Sequence, residues 1–352
     1  MTKKKRNDQK NIKKAAFILI ALLCIFGLLP DSISGRITGV LSQDSDFRSA
    51  YTAVSEAVSD AAPGSLPGDN TGSGFSPNRT DGSSAGGNSS GGNNLELPDG
   101  SSLEMNFLDV GQGLSVLINA DGHFMLYDGG DRTASSFVVA YLKDKGVTDL
   151  DYLVASHYDA DHLNGLVGAL HVFNTALILG PDYETETKIY GSFLNTVKEL
   201  GKEIQHPVPG ERYPLGSGYF EILAPLSDRY DDVNNYSIAI RLVYGDTSFL
   251  ITGDAEKESE KEMTEFWPDL SADVLCVGHH GSPTSTGDEL LDRVNPSIAV
   301  ISCGLDNSYG HPGKAVLERL EERDITVLRT DESGTITITS DGTGLTVSSP
   351  AS

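Results

Sequence analysis

The chain has 352 residues, 38% of them hydrophobic, with 26 Lys+Arg against 50 Asp+Glu and a formal net charge of −24. That length allows one large core or two domains, and the acidity argues against a surface built to grip a polyanion, because nucleic-acid binders carry the opposite balance. The three cysteines form no disulfide framework: Cys24 lies in an apolar run, while Cys276 and Cys303 lie in strand-like runs and read as buried free thiols.

Residues 1–14 are a basic tail, with Lys3, Lys4, Lys5, Arg6, Lys10, Lys13 and Lys14 against Asp8, and they run into the uncharged "AAFILIALLCIFGLL" of 15–29. The run is shorter than the roughly 20 residues that span a bilayer comfortably, but flanking residues and local thinning bring it within reach. The run ends in Leu28 and Leu29 and is followed by Pro30 rather than by a small-x-small cleavage site, so 15–30 is read as a signal-anchor transmembrane helix, with a cleaved signal peptide as the alternative. The positive-inside rule then leaves the tail cytoplasmic and the rest extracellular: a single-pass cell-membrane protein, or a secreted one after cleavage. Residues 31–100, with stretches such as "SSAGGNSSGGNN", have little to bury and read as a disordered extracellular linker.

Apolar periodicity begins at residue 101 and marks 101–352 as the folded domain. "LEMNFLDV" and "LSVLINA" read as strands joined by "GQG", and "INADGHFMLYDGG" as a hairpin turning at Asp121-Gly122. A helix over "SSFVVAYLKDKG" stops at Gly146; then come a strand "LDYLVAS", a histidine-rich loop, a helix over about 161–172, a strand "ALILG" and a helix near 186–201. In the second half, "YFEILAPL" and the two strands around Gly245-Asp246 precede a helix over "EKESEKEMTEFW". A strand "DVLCVGHHG", a helix "ELLDRV", a strand "SIAVISCG", a helix "KAVLERLEERD" and a hairpin at Asp341-Gly342 complete the order. Two mixed β/α halves, each starting with antiparallel strands, predict two sheets packed face to face with helices outside.

The loop "SHYDADHLNG" holds His157, Asp159, Asp161 and His162 within six positions, directly after a strand. Such a density of imidazoles and carboxylates suits a divalent metal. An EF-hand starting at Asp159 is excluded because Asn164 and Leu170 stand where Gly and Glu are required. Helix capping would explain one aspartate and neither histidine. Three further strand ends carry groups of the same kind: Asp254 in "FLITGDA", His279 and His280 in "VGHHGS", and His311 in "NSYGHPG". Strand ends on one sheet edge converge in space, so these residues are candidates for one site.

Taken in order, "FLDVGQG", "LYDGGD", "SHYDADHLNG", "NNYSIAIRLVYGDTSFLITGDA", "VGHHGSPTST" and "NSYGHP" resemble the metallo-β-lactamase-fold hydrolases. Within them they look like the extracellular hydrolase domain of ComEC-type DNA-uptake proteins. The resemblance implies an α/β fold, a four-layer αββα sandwich of two mixed sheets with helices outside. It implies two divalent ions, zinc or manganese, and no organic cofactor. His157, Asp159, Asp161, His162, Asp254 and His280 match the metal ligands, with Asp254 bridging and His279 as the alternative to His280. Asp128 matches a buried acid that supports the loop, while Asp161 and His311 match catalytic groups, His311 as a substrate contact or proton donor rather than a ligand. Two departures stand out: Asn234 and Asn235 occupy the region where the broad family has another histidine, and "GQGLS" puts Leu114 where an acid is expected.

What the resemblance implies for function is an extracellular, membrane-tethered metal-dependent hydrolase of phosphodiester bonds, a nuclease or phosphodiesterase, so that nucleic acid is a candidate partner. The alternatives are a cell-envelope phosphoester hydrolase acting on teichoic-acid or choline-phosphate linkages, and a non-catalytic tethered binding module.

Overall fold

The computed structural model describes residues 97–350. The expectations for the basic tail at 1–14, the apolar segment at 15–30 and the linker up to residue 96 lie outside the described residues. Leu97, within the stretch read as linker, packs against the core between the sheets.

The first half supplies β1 (Leu103–Phe107), β2 (Val116–Ala120), β3 (His123–Tyr127), helix α1 (Ser135–Asp144), β4 (Asp149–Val154), α2 (Ala160–Leu170), β5 (Asn174–Leu179), α3 (Lys188–Glu199) and the short β6 (Ile204–Gln205). The second half gives β7 (Arg212–Leu215), β8 (Gly218–Ala224), β9 (Ala239–Tyr244), β10 (Thr247–Ile251), α4 (Lys257–Phe266), β11 (Val274–Cys276), α5 (Asp288–Val294), β12 (Ile298–Ile301), α6 (Lys314–Glu321) and β13 (Thr326–Arg329). A single helical turn α7 (Thr330–Ser333) and the hairpin β14 (Ile336–Ser340) and β15 (Leu345–Ser348) end it. One sheet runs β15-β14-β1-β2-β3-β4-β5-β6 and the other β13-β12-β11-β10-β9-β8-β7. The last hairpin thus leaves its own half and pairs with β1, Met105 opposite Ile338.

The strands alternate, but both faces are apolar because both are covered. On β3, Met125 and Tyr127 join Phe107, Ile240, Phe249 and Ile338 between the sheets, while Leu126 points outward beneath α1 and α2 with Leu153 and Leu166. The second sheet is covered likewise, Leu250 and Leu275 meeting Met263, Leu290 and Leu320. Each wholly buried aliphatic side chain stabilises the sandwich by roughly 1.5–3 kcal/mol. The result is the expected αββα order. The hairpin turn between β2 and β3 has both Asp121 and Gly122 at positive φ, as the tight turn requires.

Strand direction positions the site. β3, β4 and β5 run parallel, as do β10 through β13. Their C-terminal ends therefore release loops from the same edge, where Asp128, Ser156–His162, Asp254, His279–His280 and Ser302 all lie. β11 stops at Cys276, earlier than expected, because His279 and His280 both take left-handed backbone conformations, φ +49° and +56°. Cys276 and Cys303 are buried free thiols.

Candidate metal centre

Asp159 occupies the N-cap position of α2, yet its side chain makes no capping hydrogen bond. The carboxylate is thereby left for something else, and the backbone oxygen alone receives His162 N–H and Leu163 N–H. The turn on the other side of the loop is built by small residues. Gly113 lies so close that a Cβ would fall 2.5 Å from Asp161 O, and it sits at φ +143°. Asp128, His279 and His280 are non-glycine residues at positive φ, a conformation that costs about 1–3 kcal/mol each and is retained where function needs it.

The hydrogen bonds behind the histidines point each ring's free nitrogen the same way. Asp128 is wholly buried; its Oδ1 accepts Ser156 N–H at 2.8 Å and its Oδ2 accepts Ser156 Oγ–H at 2.7 Å. His162 Nδ1–H also donates to Asp128 Oδ2, at 2.8 Å. Since Ser156 spends its proton on Asp128, its oxygen accepts from His157 Nδ1–H at 3.0 Å. His280 Nδ1–H donates to Ser302 O at 3.0 Å. All three rings thus hold a proton on Nδ1 and turn Nε2 inward, which is how supporting partners prepare imidazoles for a metal.

Those inward atoms meet the carboxylates. His162 Nε2 lies 3.3 Å from Asp254 Oδ2, and His280 Nε2 lies 3.4 Å from both Asp254 Oδ2 and Asp161 Oδ2. His157 Nε2 is 3.9 Å from Asp159 Oδ2. Two groups have donor atoms close enough to share an ion, His157–His162–Asp254 and Asp161–His162–His280. Asp159 is 48% exposed at its side chain against 5% for Asp254, so the cluster opens to solvent on the Asp159 side.

Electrostatics follow from burial and these neighbours. Burial opposes charge on Asp254, but His162 and His280 outweigh it and hold the carboxyl well below its ordinary range. Asp161 is likewise held low by His162 and His280 against its own burial. Asp159 is pushed up, first by burial and then by Asp161. Burial would lower His280, yet Asp254 and Asp161 carry it up to about 9, and His162 rises well above the usual value through Asp254, Asp128 and Asp161. His157 is driven down to about 3 by burial and then by His162. Protons on His162 and His280 balance the carboxylates here, and a divalent cation would take their place and release them.

The donor set fits a metal on a further observation. His157 Nε2 and Asp254 Oδ1 are buried without any hydrogen-bond partner. A buried polar atom left unpaired is costly, and both belong to the group that closes around one point.

Residues 108–305 match the metallo-beta-lactamase superfamily. The chain belongs to the metallo-beta-lactamase superfamily. It is 33% identical over 252 residues to ComE operon protein 3 of Bacillus subtilis strain 168, covering 66% of this chain and 32% of that protein. It is 34% identical over 230 residues to competence protein ComA of Neisseria gonorrhoeae, covering 65% and 31%. The chain therefore spans about a third of the length of these curated relatives. Among solved structures it is similar to the metallo-beta-lactamase fold protein YhfI of Bacillus subtilis, at 14% identity and a TM-score of 0.43 over 67% of this chain and 98% of that one. A metallo-beta-lactamase domain of this kind is a metal-dependent hydrolase, and divalent ions go with the fold.

The remaining sequence candidates are placed as follows. His279 stands beside the cluster, Nε2 3.7 Å from Asp254 Oδ2, while its Nδ1 faces Glu256 Oε1 at 3.2 Å. His311 meets the edge of the His279 ring at 5.7 Å between centroids. Asn235 is buried, but its Oδ1 accepts Glu256 N–H and Ser259 N–H, which ties it to the start of α4 and leaves that oxygen turned from the cluster. Asn234 is half-buried in the helical turn Val233–Tyr236. Leu114, the second departure, packs in the core between the sheets, and its N–H donates to Asp161 O at 3.3 Å. Ser156, Ser302 and Glu256 were not singled out from sequence. A serine immediately before the first loop histidine was the one local signal available for Ser156.

Proposed function

We propose that this domain is a phosphodiesterase that binds two divalent ions, zinc or manganese, in the pocket formed by His157, Asp159, Asp161, His162, Asp254 and His280. The observation that carries the reading is the convergence of His162 Nε2 and His280 Nε2 on Asp161 and Asp254, with His157 Nε2 and Asp254 Oδ1 buried and left unpartnered. Asp161, His162 and His280 would hold one ion, His157 and Asp159 the other, with Asp254 between them. The chemistry such ions would supply there is a water acidic enough to attack near neutral pH and withdrawal of charge from a phosphoryl oxygen.

The chain's own residues do the rest. Asp128, Ser156 and Ser302 hold the imidazoles in the ligating tautomer. Two divalent ions would be offset by three carboxylates and the attacking hydroxide, leaving a near-neutral centre that suits a phosphodiester monoanion better than a dianion. Oxygen at position 159, where a histidine would complete the more familiar pattern, favours acceptance of manganese beside zinc. Tyr309, 70% exposed, stacks on His311 with rings 26° apart, and offers its free face to a ring of the substrate.

A nucleic-acid phosphodiester is the substrate class this reading favours, from the resemblance to DNA-uptake proteins and because a relative at 34% identity is named as a competence protein. The apolar segment at 15–29 would tether the domain outside the cell. The second reading, a cell-envelope phosphoester, rests on that same tether, which would hold the domain within reach of wall polymers; the net charge of −24 disfavours a long polyanion of either kind. The test is turnover of bis-p-nitrophenyl phosphate, single-stranded DNA, duplex DNA and teichoic acid by the purified, metal-loaded protein. Cleavage of the small diester and of DNA, abolished in Asp161→Asn, is expected. Cleavage of teichoic acid alone selects the second reading, and no cleavage of any phosphoester removes both.

A further inference from the structure

The Gly111-Gln112-Gly113 turn is a motif that the metal pocket does not use, and its middle side chain points across to the loop between β12 and α6. Gly304 N–H donates to Gln112 Oε1 at 3.3 Å. A backbone N–H can only donate, so the carboxamide oxygen must face it, and the amide nitrogen is left facing the other way. That nitrogen lies 3.5 Å from His311 Nδ1. An amide NH2 has no acceptor capacity, so His311 Nδ1 must be the acceptor.

We propose that Gln112 is a positioning residue that fixes the tautomer of His311, leaving its ring proton on Nε2 as a hydrogen-bond donor to a substrate oxygen at the mouth of the metal pocket. Asn307 fixes the loop that carries the half-buried ring, and two other rings flank the imidazole. Asn307 Oδ1 accepts both Tyr309 N–H and His311 N–H, and Asn307 Nδ2 donates to Gly304 O and His311 O. Tyr309 lies against one face of the imidazole and the His279 ring stands edge-on at 5.7 Å.

The glycines explain why the turn reaches so far. A Cβ on Gly304 would come within 2.7 Å of Gln112 N, and one on Gly113 within 2.5 Å of Asp161 O. The turn is therefore wedged between the aspartate loop and the histidine loop, and Ser302 Oγ–H pins it by donating to Gly113 O at 2.8 Å. Ser302 also accepts the His280 proton through its backbone oxygen, so the metal pocket and the His311 donor share one rigid support.

The tautomer is a property of the free protein, whereas the use of the donor rests on the phosphodiesterase reading above. The experiment is long-range 1H–15N correlation of the imidazoles in the 15N-histidine-labelled full chain, with His311 assigned from a His311→Asn sample, above the ordinary imidazole pKa of about 6.5. The wild type is expected to show the Nε2–H form. Gln112→Glu keeps the size and the contact to Gly304 but sets an oxygen against Nδ1, and is expected to move the proton there. In parallel, kcat for bis-p-nitrophenyl phosphate should fall on the order of 100–1000-fold in Gln112→Glu, as when one preorganised donor is lost, with KM and metal content unchanged. A wild-type Nδ1–H form, or no difference between the two proteins, overturns the proposal. A shifted tautomer with unchanged kcat overturns the donor role. If the wild type shows the Nε2–H form, loses it in Gln112→Glu and hydrolyses no phosphodiester, the positioning by Gln112 stands and the phosphodiesterase reading falls.

Discussion

His162 Nδ1 and Asp128 Oδ2 are 2.8 Å apart, with both side chains wholly buried. The same carboxylate accepts two hydrogen bonds from Ser156, so one acid orients two loop histidines at once, His162 directly and His157 through the serine. Asp128→Asn tests this cleanly, because Asn tolerates the left-handed backbone that Asp128 adopts at φ +56°. The amide cannot accept all three donors. Affinity for zinc, measured by calorimetry on the metal-stripped protein, should fall about 10–100-fold with the far-ultraviolet circular dichroism unchanged. Affinity equal to wild type would show that the histidines are oriented without Asp128.

Asp159 makes no capping hydrogen bond and is half exposed at the rim of the pocket. If it is a ligand, Asp159→His should retain metal and shift the preference from manganese toward zinc, since imidazole suits zinc and carboxylate suits manganese. Elemental analysis after equilibration with both ions in equal amounts reads the ratio. Asp159→Ala provides the opposite control: metal content and turnover both equal to wild type would remove Asp159 from the ligand set.

The parts of this fold written in short-range pattern were legible in the sequence. Asp121-Gly122 announces its own turn, Gly146 takes the left-handed conformation just past α1, and four ligand-type residues in one loop are visible without any partner. β7 is hard to see in the pattern because Pro214 argues against a strand, and β6 because two residues carry no period. The support of the site was hidden for a different reason. Ser156 matters because of Asp128, 28 positions away, and Gln112 because of His311 and Gly304, 199 and 192 positions away. Asn235 shows the converse: its place in the chain suggested a ligand, and only the folded α4 reveals two backbone N–H groups on its oxygen.

Tyr309 presents a large aromatic face to solvent from a loop fixed by Asn307. Stacking against a base is worth roughly 1–3 kcal/mol, so Tyr309→Ala should raise KM for an oligonucleotide about 5–150-fold. Its kcat for bis-p-nitrophenyl phosphate, which needs no such platform, should be unaffected. Steady-state kinetics on both substrates give the comparison, and equal changes on the two would mean that Tyr309 acts through His311 instead.

Glu260, on α4, carries a buried carboxylate whose oxygens accept the N–H groups of Thr286 and Gly287. Thr286 Oγ1 in turn accepts Gly278 N–H at 3.0 Å, just before His279 and His280. Burial pushes the Glu260 carboxyl from 4.5 up to about 7, against the lowering effect of those N–H groups, Arg319 and Lys257. An acid raised on folding binds its proton more tightly in the native state, so the unfolded chain ionises first. Stability from this group is therefore greatest below pH 4.5 and is lost as pH rises to about 7. The loss is on the order of 3 kcal/mol. Glu260→Gln removes the titration but leaves one acceptor for two N–H groups, which adds a penalty independent of pH. Urea unfolding at intervals across that window should thus show the wild type losing stability relative to the variant as pH rises. Curves that stay parallel from pH 4.5 to 7 would mean that Glu260 is ionised throughout, with its charge met by the turn it holds.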